Sequence, residues 1–347
     1  MKKTLIALAA LAATGAFAQS SVTISGGFGL AFGTTKTGDA NSGAQIARQT
    51  GNIAFKGTED LGGGLKASFE LQTAIGAVAT TNNDTGNAAV SNNKAGLSNS
   101  NRTLLGDRAA NVSLSGDFGA VVLGRGNTAI RSLWGSIGDV TGLPVVSGLS
   151  DSSQGSSDAK ARVIAGDTFS NYLAYSTPNF SGLTASVALA PVQSTSAPLE
   201  GTTAAYKDTM SYTLQYAAGP LAVAANLTDM AATGGAKITT LLGSYDFGMV
   251  KVGLTTQSID MNDAVDPGRA TAITLSAPLG SGVLAGGYGR RTGSDGDGDN
   301  VAQTFLGYKY NLSKRTNVSA VWNKINREGS VKTNDVTETH LIVGHTF

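Results

Sequence analysis

The chain contains two histidines, His340 and His345, and with them the first test of whether it does covalent or metal chemistry. Both lie in the last twelve residues, Val336 to Phe347 (VTETHLIVGHTF). Thr339, Leu341, Val343, His345 and Phe347 share one parity there, and Glu338, His340, Ile342, Gly344 and Thr346 the other. That is the period-two repeat of a strand with two unlike faces. An odd separation on one strand sends the two imidazoles to opposite faces, so they cannot ligate one metal together. No histidine stands beside a serine and an acid on one face, so a nucleophilic triad has no support. Asp295-Gly296-Asp297-Gly298-Asp299-Asn300 has the alternating acids of a calcium loop, but its twelfth position is Leu306 rather than glutamate. A solvated loop is the better reading. Gly26-Gly27-Phe28-Gly29 lies inside a strand pattern with no helix after it, so it is not a nucleotide fingerprint. The absence of cysteine removes thiol catalysis and disulfide scaffolds. These residues give an enzyme no support and imply no cofactor and no metal site.

The remaining chain is read through its strands. Val22, Ile24, Gly26, Phe28, Leu30 and Phe32 alternate with Thr23, Ser25, Gly27, Gly29, Ala31 and Gly33. Leu65, Ala67, Phe69 and Leu71 alternate with Lys66, Ser68, Glu70 and Gln72, and Met210, Tyr212, Leu214 and Tyr216 with Thr209, Ser211, Thr213 and Gln215. One face is apolar and the other small, polar or charged. Two segments, Val283 to Arg290 and Asn317 to Asn323, are noisier. The separators come in two lengths. Short turns such as Asp117-Phe118-Gly119, Gly219-Pro220 and Asp246-Phe247-Gly248 alternate along much of the chain with long polar stretches at 77–105, 127–166, 192–206, 260–268, 293–300 and 327–335. One rim of the sheet therefore carries turns and the other loops.

The N-terminus gives the destination. Met1-Lys2-Lys3, the apolar run Thr4 to Ala13 and the small-x-small site Ala16-Phe17-Ala18 predict a secretory signal over residues 1–18, with a mature domain over 19–347. Beyond it no apolar run approaches the ~20 residues of a membrane helix. A net charge of +1 argues against nucleic acid as a partner. Candidate strands from 22–33 to 336–347 number about 16, an even count of ~10-residue segments with unequal rims, as in outer-membrane barrels. A soluble sandwich is the alternative, but it normally shows shorter spacings. About 16 strands enclose an aqueous channel, which predicts the polar parity facing water and the apolar parity facing lipid. Lipid cannot satisfy backbone amides, so the sheet must close, pairing 336–347 with 22–33. Closure accounts for an aromatic C-terminus in mid-strand. Phe32, Tyr212, Tyr216, Tyr310 and Trp322 are girdle candidates.

Lys56 to Ala67 (KGTEDLGGGLKA) resembles the first periplasmic turn of the Gram-negative general porins, in their β-proteobacterial branch. Val112 to Gly119 with Leu123-Gly124-Arg125, Tyr175 to Phe180, Leu306 to Thr316 and the closing Gly344-His345-Thr346-Phe347 resemble further family segments, in the family's order. The resemblance implies an all-β, 16-stranded antiparallel transmembrane β-barrel in the outer membrane, amid its lipid and lipopolysaccharide. It also implies a homotrimer, passive diffusion of ions and small hydrophilic solutes, and a pore-constricting third loop. That loop is 127–166, with Asp139, Asp151 and Asp158 as acidic candidates and Trp134, Leu143 and Pro144 as packing residues. Phe347 is, by the same resemblance, the signal read by the barrel assembly machinery.

The resemblance also locates a basic wall, from which the chain departs. The family's second-strand arginine falls at Asn52, and its sixth-strand arginine at Thr168. Arg108, Lys56 and Arg125 match. Simple alternation from Val121 and Leu123 puts Arg125 on the apolar side, so a bulge or strand end is required there. Arg48, Lys160 and Arg162 are possible replacements for the lost charge. The alternative function is a substrate-selective channel with a binding site in the lumen, which a low aromatic content weakens.

Overall fold

The computed structural model describes residues 21–75, 105–106, 108–143, 168–191, 208–230, 236–260, 268–292, 300–327 and 335–347, with backbone alone at 42, 45, 47–50, 168, 170, 230 and 236. These residues form sixteen strands. They are β1 (Ser21–Thr37), β2 (Ala40–Gly62), β3 (Leu65–Ala74), β4 (Ala109–Gly116), β5 (Gly119–Asn127), β6 (Thr168–Ser176), β7 (Leu183–Ala190) and β8 (Thr209–Ala218). The second half comprises β9 (Leu221–Met230), β10 (Ala236–Asp246), β11 (Lys251–Asp260), β12 (Gly268–Leu279), β13 (Gly282–Thr292), β14 (Val301–Asn311), β15 (Thr316–Arg327) and β16 (Val336–Thr346). Each pairs antiparallel with its sequence neighbours, and β16 returns to β1 to close the barrel.

The closing ladder runs from Gly27 opposite Thr346 to Thr37 opposite Val336. It is finished by Phe347, whose N–H donates to the Gly26 carbonyl at 2.9 Å and whose carbonyl accepts from the Gly26 N–H at 3.0 Å. The Phe347 ring fills the space where a Gly26 Cβ would stand. The terminal strand is thus held on both sides, by β1 and by β15. His340 pairs across to Gly33 and Val321, and His345 to Phe28 and Thr316, on opposite faces as the parity requires.

Short turns line one rim. At Asp246-Phe247-Gly248 the Asp246 carboxylate accepts the Gly248 N–H at 2.8 Å, and Gly248 takes φ 84°, a left-handed conformation that suits glycine. β1 and β2 run longer than predicted and meet in a tight turn at Gly38 and Asp39 on the opposite rim. Leu241, Leu254, Ile273, Leu306 and Leu341 are exposed on the outer face, a band that only lipid can cover. Tyr212, Tyr216, Tyr310, Trp322 and Phe32 are exposed on that face too.

The inner face departs from the sequence expectation. Water was expected along the whole inward parity, yet on β9–β16 that parity includes Leu242, Ile259, Phe305, Val321, Ile325 and Ile342, all buried. They share one apolar cluster with Ile130, Leu133, Trp134, Ile137 and Leu143. Chain folded in from the β5–β6 connection covers part of that wall, so the inward parity there mixes apolar residues with buried, hydrogen-bonded polar ones such as Asn226, Gln257, Gln303, Asn323 and Glu338. Hence the noise in 283–290 and 317–323: Val283, Ala285 and Val321 belong to or pack against that cluster. On β3 to β8 the inward Ser68, Ser113, Ser186, Thr213 and Gln215 are partly accessible, whereas Thr209 and Ser211 at the start of β8 are buried.

Candidate pore constriction

Asn127 ends β5, and Thr128 caps a short helix α1 (Ala129–Leu133), its Oγ1 accepting the Arg131 N–H at 3.3 Å. A π-helical turn, Trp134–Gly138, follows directly. Ile130, Leu133, Trp134 and Ile137 recur at the i, i+3, i+4, i+7 spacing of one helical face and are all buried against the inner wall. The turn packs on β9, β10, β11 and β12. A Cβ on Gly138 would lie 2.6 Å from Thr255 Oγ1 and 3.0 Å from Leu242, and one on Gly253 would lie 2.6 Å from the Gly138 carbonyl. Glycine at both positions is what lets the two backbones approach. Thr274 Oγ1 then donates to the Gly138 carbonyl at 2.6 Å and accepts the Val140 N–H at 3.3 Å. Asp139 accepts from the Thr141 N–H (2.9 Å) and hydroxyl (2.6 Å), and Lys309 Nζ donates to the Gly142 carbonyl at 2.8 Å. Leu143 ends the described path beside Gly307 of β14.

On the opposite side of the barrel, β2 to β4 carry Asn52, Lys56, Glu70, Gln72 and Asn111 on one parity. Lys56 and Glu70 are direct cross-strand partners with Nζ and Oε1 3.0 Å apart. Both share the face opposite Phe55 and Phe69, whose β1 and β4 partners Ile24 and Val112 are exposed on the outside. Lys56 and Glu70 therefore line the lumen, the lysine about half exposed. An ion pair so open adds little to stability. Lys56 stands six residues before Gly62, at the end of β2, and Thr255 four after Lys251, at the start of β11. Both strand ends lie on the short-turn rim, so the ion pair and the seat of the folded-in segment sit at a similar depth. Asn52, also inward, accepts the Gly27 N–H at 3.2 Å. Arg108 immediately precedes β4, its N–H donating to the Gln72 carbonyl at 3.1 Å.

A barrel of sixteen strands with one connection folded inside has a recognisable kinship. Residues 4–330 match the Gram-negative porin family. The chain belongs to that family. It is 34% identical over 344 residues to outer membrane porin protein 32 of Delftia acidovorans, covering 91% of this chain and 87% of the relative. It is 27% identical over 353 residues to major outer membrane protein P.IB of Neisseria lactamica, covering 93% of each. Among solved structures, the anion-selective porin from Comamonas acidovorans superposes with a TM-score of 0.67 at 23% identity, over 95% of this chain and 100% of that one. This porin is thus an outer-membrane barrel forming a water-filled channel for passive diffusion, and the family points to a channel rather than an enzyme.

Within the porin, the expected site residues are dispersed over several elements. Lys56, Asn52 and Arg108 cluster on β2 and at the head of β4, near Glu70 and Gln72. Around Arg125 the β5–β6 register shifts between Gly124 and Gly126, while the β4–β5 ladder keeps Arg125 opposite Ala110, in register with the exposed Leu123 and Val112. Asp139 lies on the folded-in segment, held in its turn with Thr141. Thr168 opens β6 opposite Asn127, and Arg48 pairs through its backbone with Leu30. Asp151, Asp158, Pro144, Lys160 and Arg162 lie outside the described residues. Sequence reasoning passed over Glu70 and Lys309. Glu70 left no signal by counting: from Gly62 opposite Leu65 an unbroken ladder would set Lys56 against Leu71, and the irregularity between Asp60 and Gly62 sets it against Glu70 instead.

Proposed function

We propose that residues 128–143 form the constricting part of the third loop. They narrow the pore against a wall built from Asn52, Lys56, Arg108 and Arg125, with Asp139 on the loop side and Thr168 at the head of β6. The observation that carries this reading is the seating of Gly138 and Val140 on Thr274 and Gly253, at the depth of the Lys56–Glu70 pair. Asp151 and Asp158 are assigned to the same loop by resemblance. The named anion selectivity of the Comamonas relative does not transfer simply. Asn52 and Thr168 stand where the family places arginines, and a charged ring sets ion preference only where it reaches the narrowest point. The reading is therefore a weakly selective filter for ions and small hydrophilic solutes.

In the same proposal residues 1–18 direct export and are removed, and residues 19–347 insert as a homotrimer with lipid and lipopolysaccharide against the outer face. Phe347 is the feature engaged by the assembly machinery. Purified protein in planar bilayers tests the core of this. Stepwise conductance in multiples of three is expected, and folded trimer that inserts without conducting would sink the proposal.

A further inference from the structure

On the lumen wall the Lys56–Glu70 ion pair stands among uncharged partners in its own ladders. Its nearest inward neighbours are Thr23 beside Lys56 on β1, Asn111 beside Glu70 on β4, and Ala54, Thr58, Ser68 and Gln72 along β2 and β3, none of them charged. The two charges oppose each other directly across one hairpin, with Nζ and Oε1 3.0 Å apart. At that separation they form a dipole whose field falls off faster than that of either charge alone. An ion crossing at the depth of the folded-in segment therefore meets little net charge from this patch. Both side chains remain accessible to water, so they act on a passing ion through the lumen rather than through buried structure. We propose that Glu70 is a selectivity-determining residue of this pore: it cancels Lys56 on the constriction wall, and its carboxylate is what keeps that patch from favouring anions.

This rests on the reading of the barrel as a conducting pore, and the experiment separates the two. The chain has no cysteine, so Glu70→Cys introduces a unique thiol. Full-length protein is inserted in planar bilayers under a potassium chloride gradient at about 0.1 M, where the screening length is about 10 Å. Reversal potential is recorded before and after addition of a sulfonated, then in separate channels a trimethylammonium, methanethiosulfonate reagent. Glu70→Cys should raise the anion-to-cation permeability ratio about two- to fivefold, the scale of one unit charge acting through water at close range. The sulfonate reagent should bring the ratio back towards wild type, and the ammonium reagent should raise it further. Lys56→Cys should shift it towards cations, and it keeps the test open should position 70 variants fail to fold. Conducting channels whose ratio ignores charge at 70, or at 56, would overturn the proposal. Wild-type trimers that insert without conducting would instead overturn the pore reading beneath it.

Discussion

Arg108 lies at the head of β4, where its backbone is fixed by the Gln72 carbonyl before the strand proper begins. A charge there is held by the ladder and not by a loop, which is the requirement for a residue that biases passing ions. Arg108→Glu reverses that charge, and reversal potential should move towards cation preference by about fivefold or more at low salt, shrinking as salt is raised. A permeability ratio equal to wild type would remove Arg108 from the filter. The same scale explains why Glu70 escaped the sequence reading. A glutamate on a polar parity is unremarkable until the hairpin register sets it opposite a lysine. That register depends on a turn with an irregularity between Asp60 and Gly62.

At the scale of elements, the folded-in segment is positioned by shape more than by charge. Gly253→Val would drive its side chain into the Gly138 carbonyl and Thr274, so the segment or β11 must shift, at a cost of about 1–3 kcal/mol. Thr274→Val removes the hydroxyl that serves both Gly138 and Val140, and leaving those buried groups unpaired costs about 1–3 kcal/mol each. Both variants should lower the thermal midpoint of the folded protein and raise single-channel conductance. Wild-type conductance in Gly253→Val would show that the segment does not limit the pore. The helical stripe Ile130, Leu133, Trp134 and Ile137 was present in the sequence, yet it fixes only a buried face. Which wall it meets depends on strands distant in sequence, from β9 to β12.

For the whole molecule, closure is the event on which the rest depends. Phe347 pairs in both directions with Gly26 and lays its ring over that glycine, at the seam between first and last strands. Deleting it strands the Gly26 N–H and carbonyl, a penalty of about 1–3 kcal/mol for each group left without a partner. Phe347 deletion, and Phe347→Ser more mildly, should cut the yield of inserted trimer. Channels that do assemble should conduct as wild type, because the Phe347 ring lies on the outward parity it shares with the exposed Leu341 and Val343. Normal trimer yield from the deletion would refute the assembly role.

By itself the sequence determined the strand number, the inward and outward parity, the unequal rims and the pairing of the last strand with the first. Each follows from a local period and from the rule that a backbone in lipid must satisfy itself. Only the tertiary structure decided that an apolar cluster forms on the inner wall, that Lys56 faces Glu70, and that the segment after β5 packs on β9–β12. Those outcomes depend on register around a closed barrel and on close approach at Gly138 and Gly253. Neither leaves a periodic mark, because a strand's alternation says which residues point inward but not what they meet there.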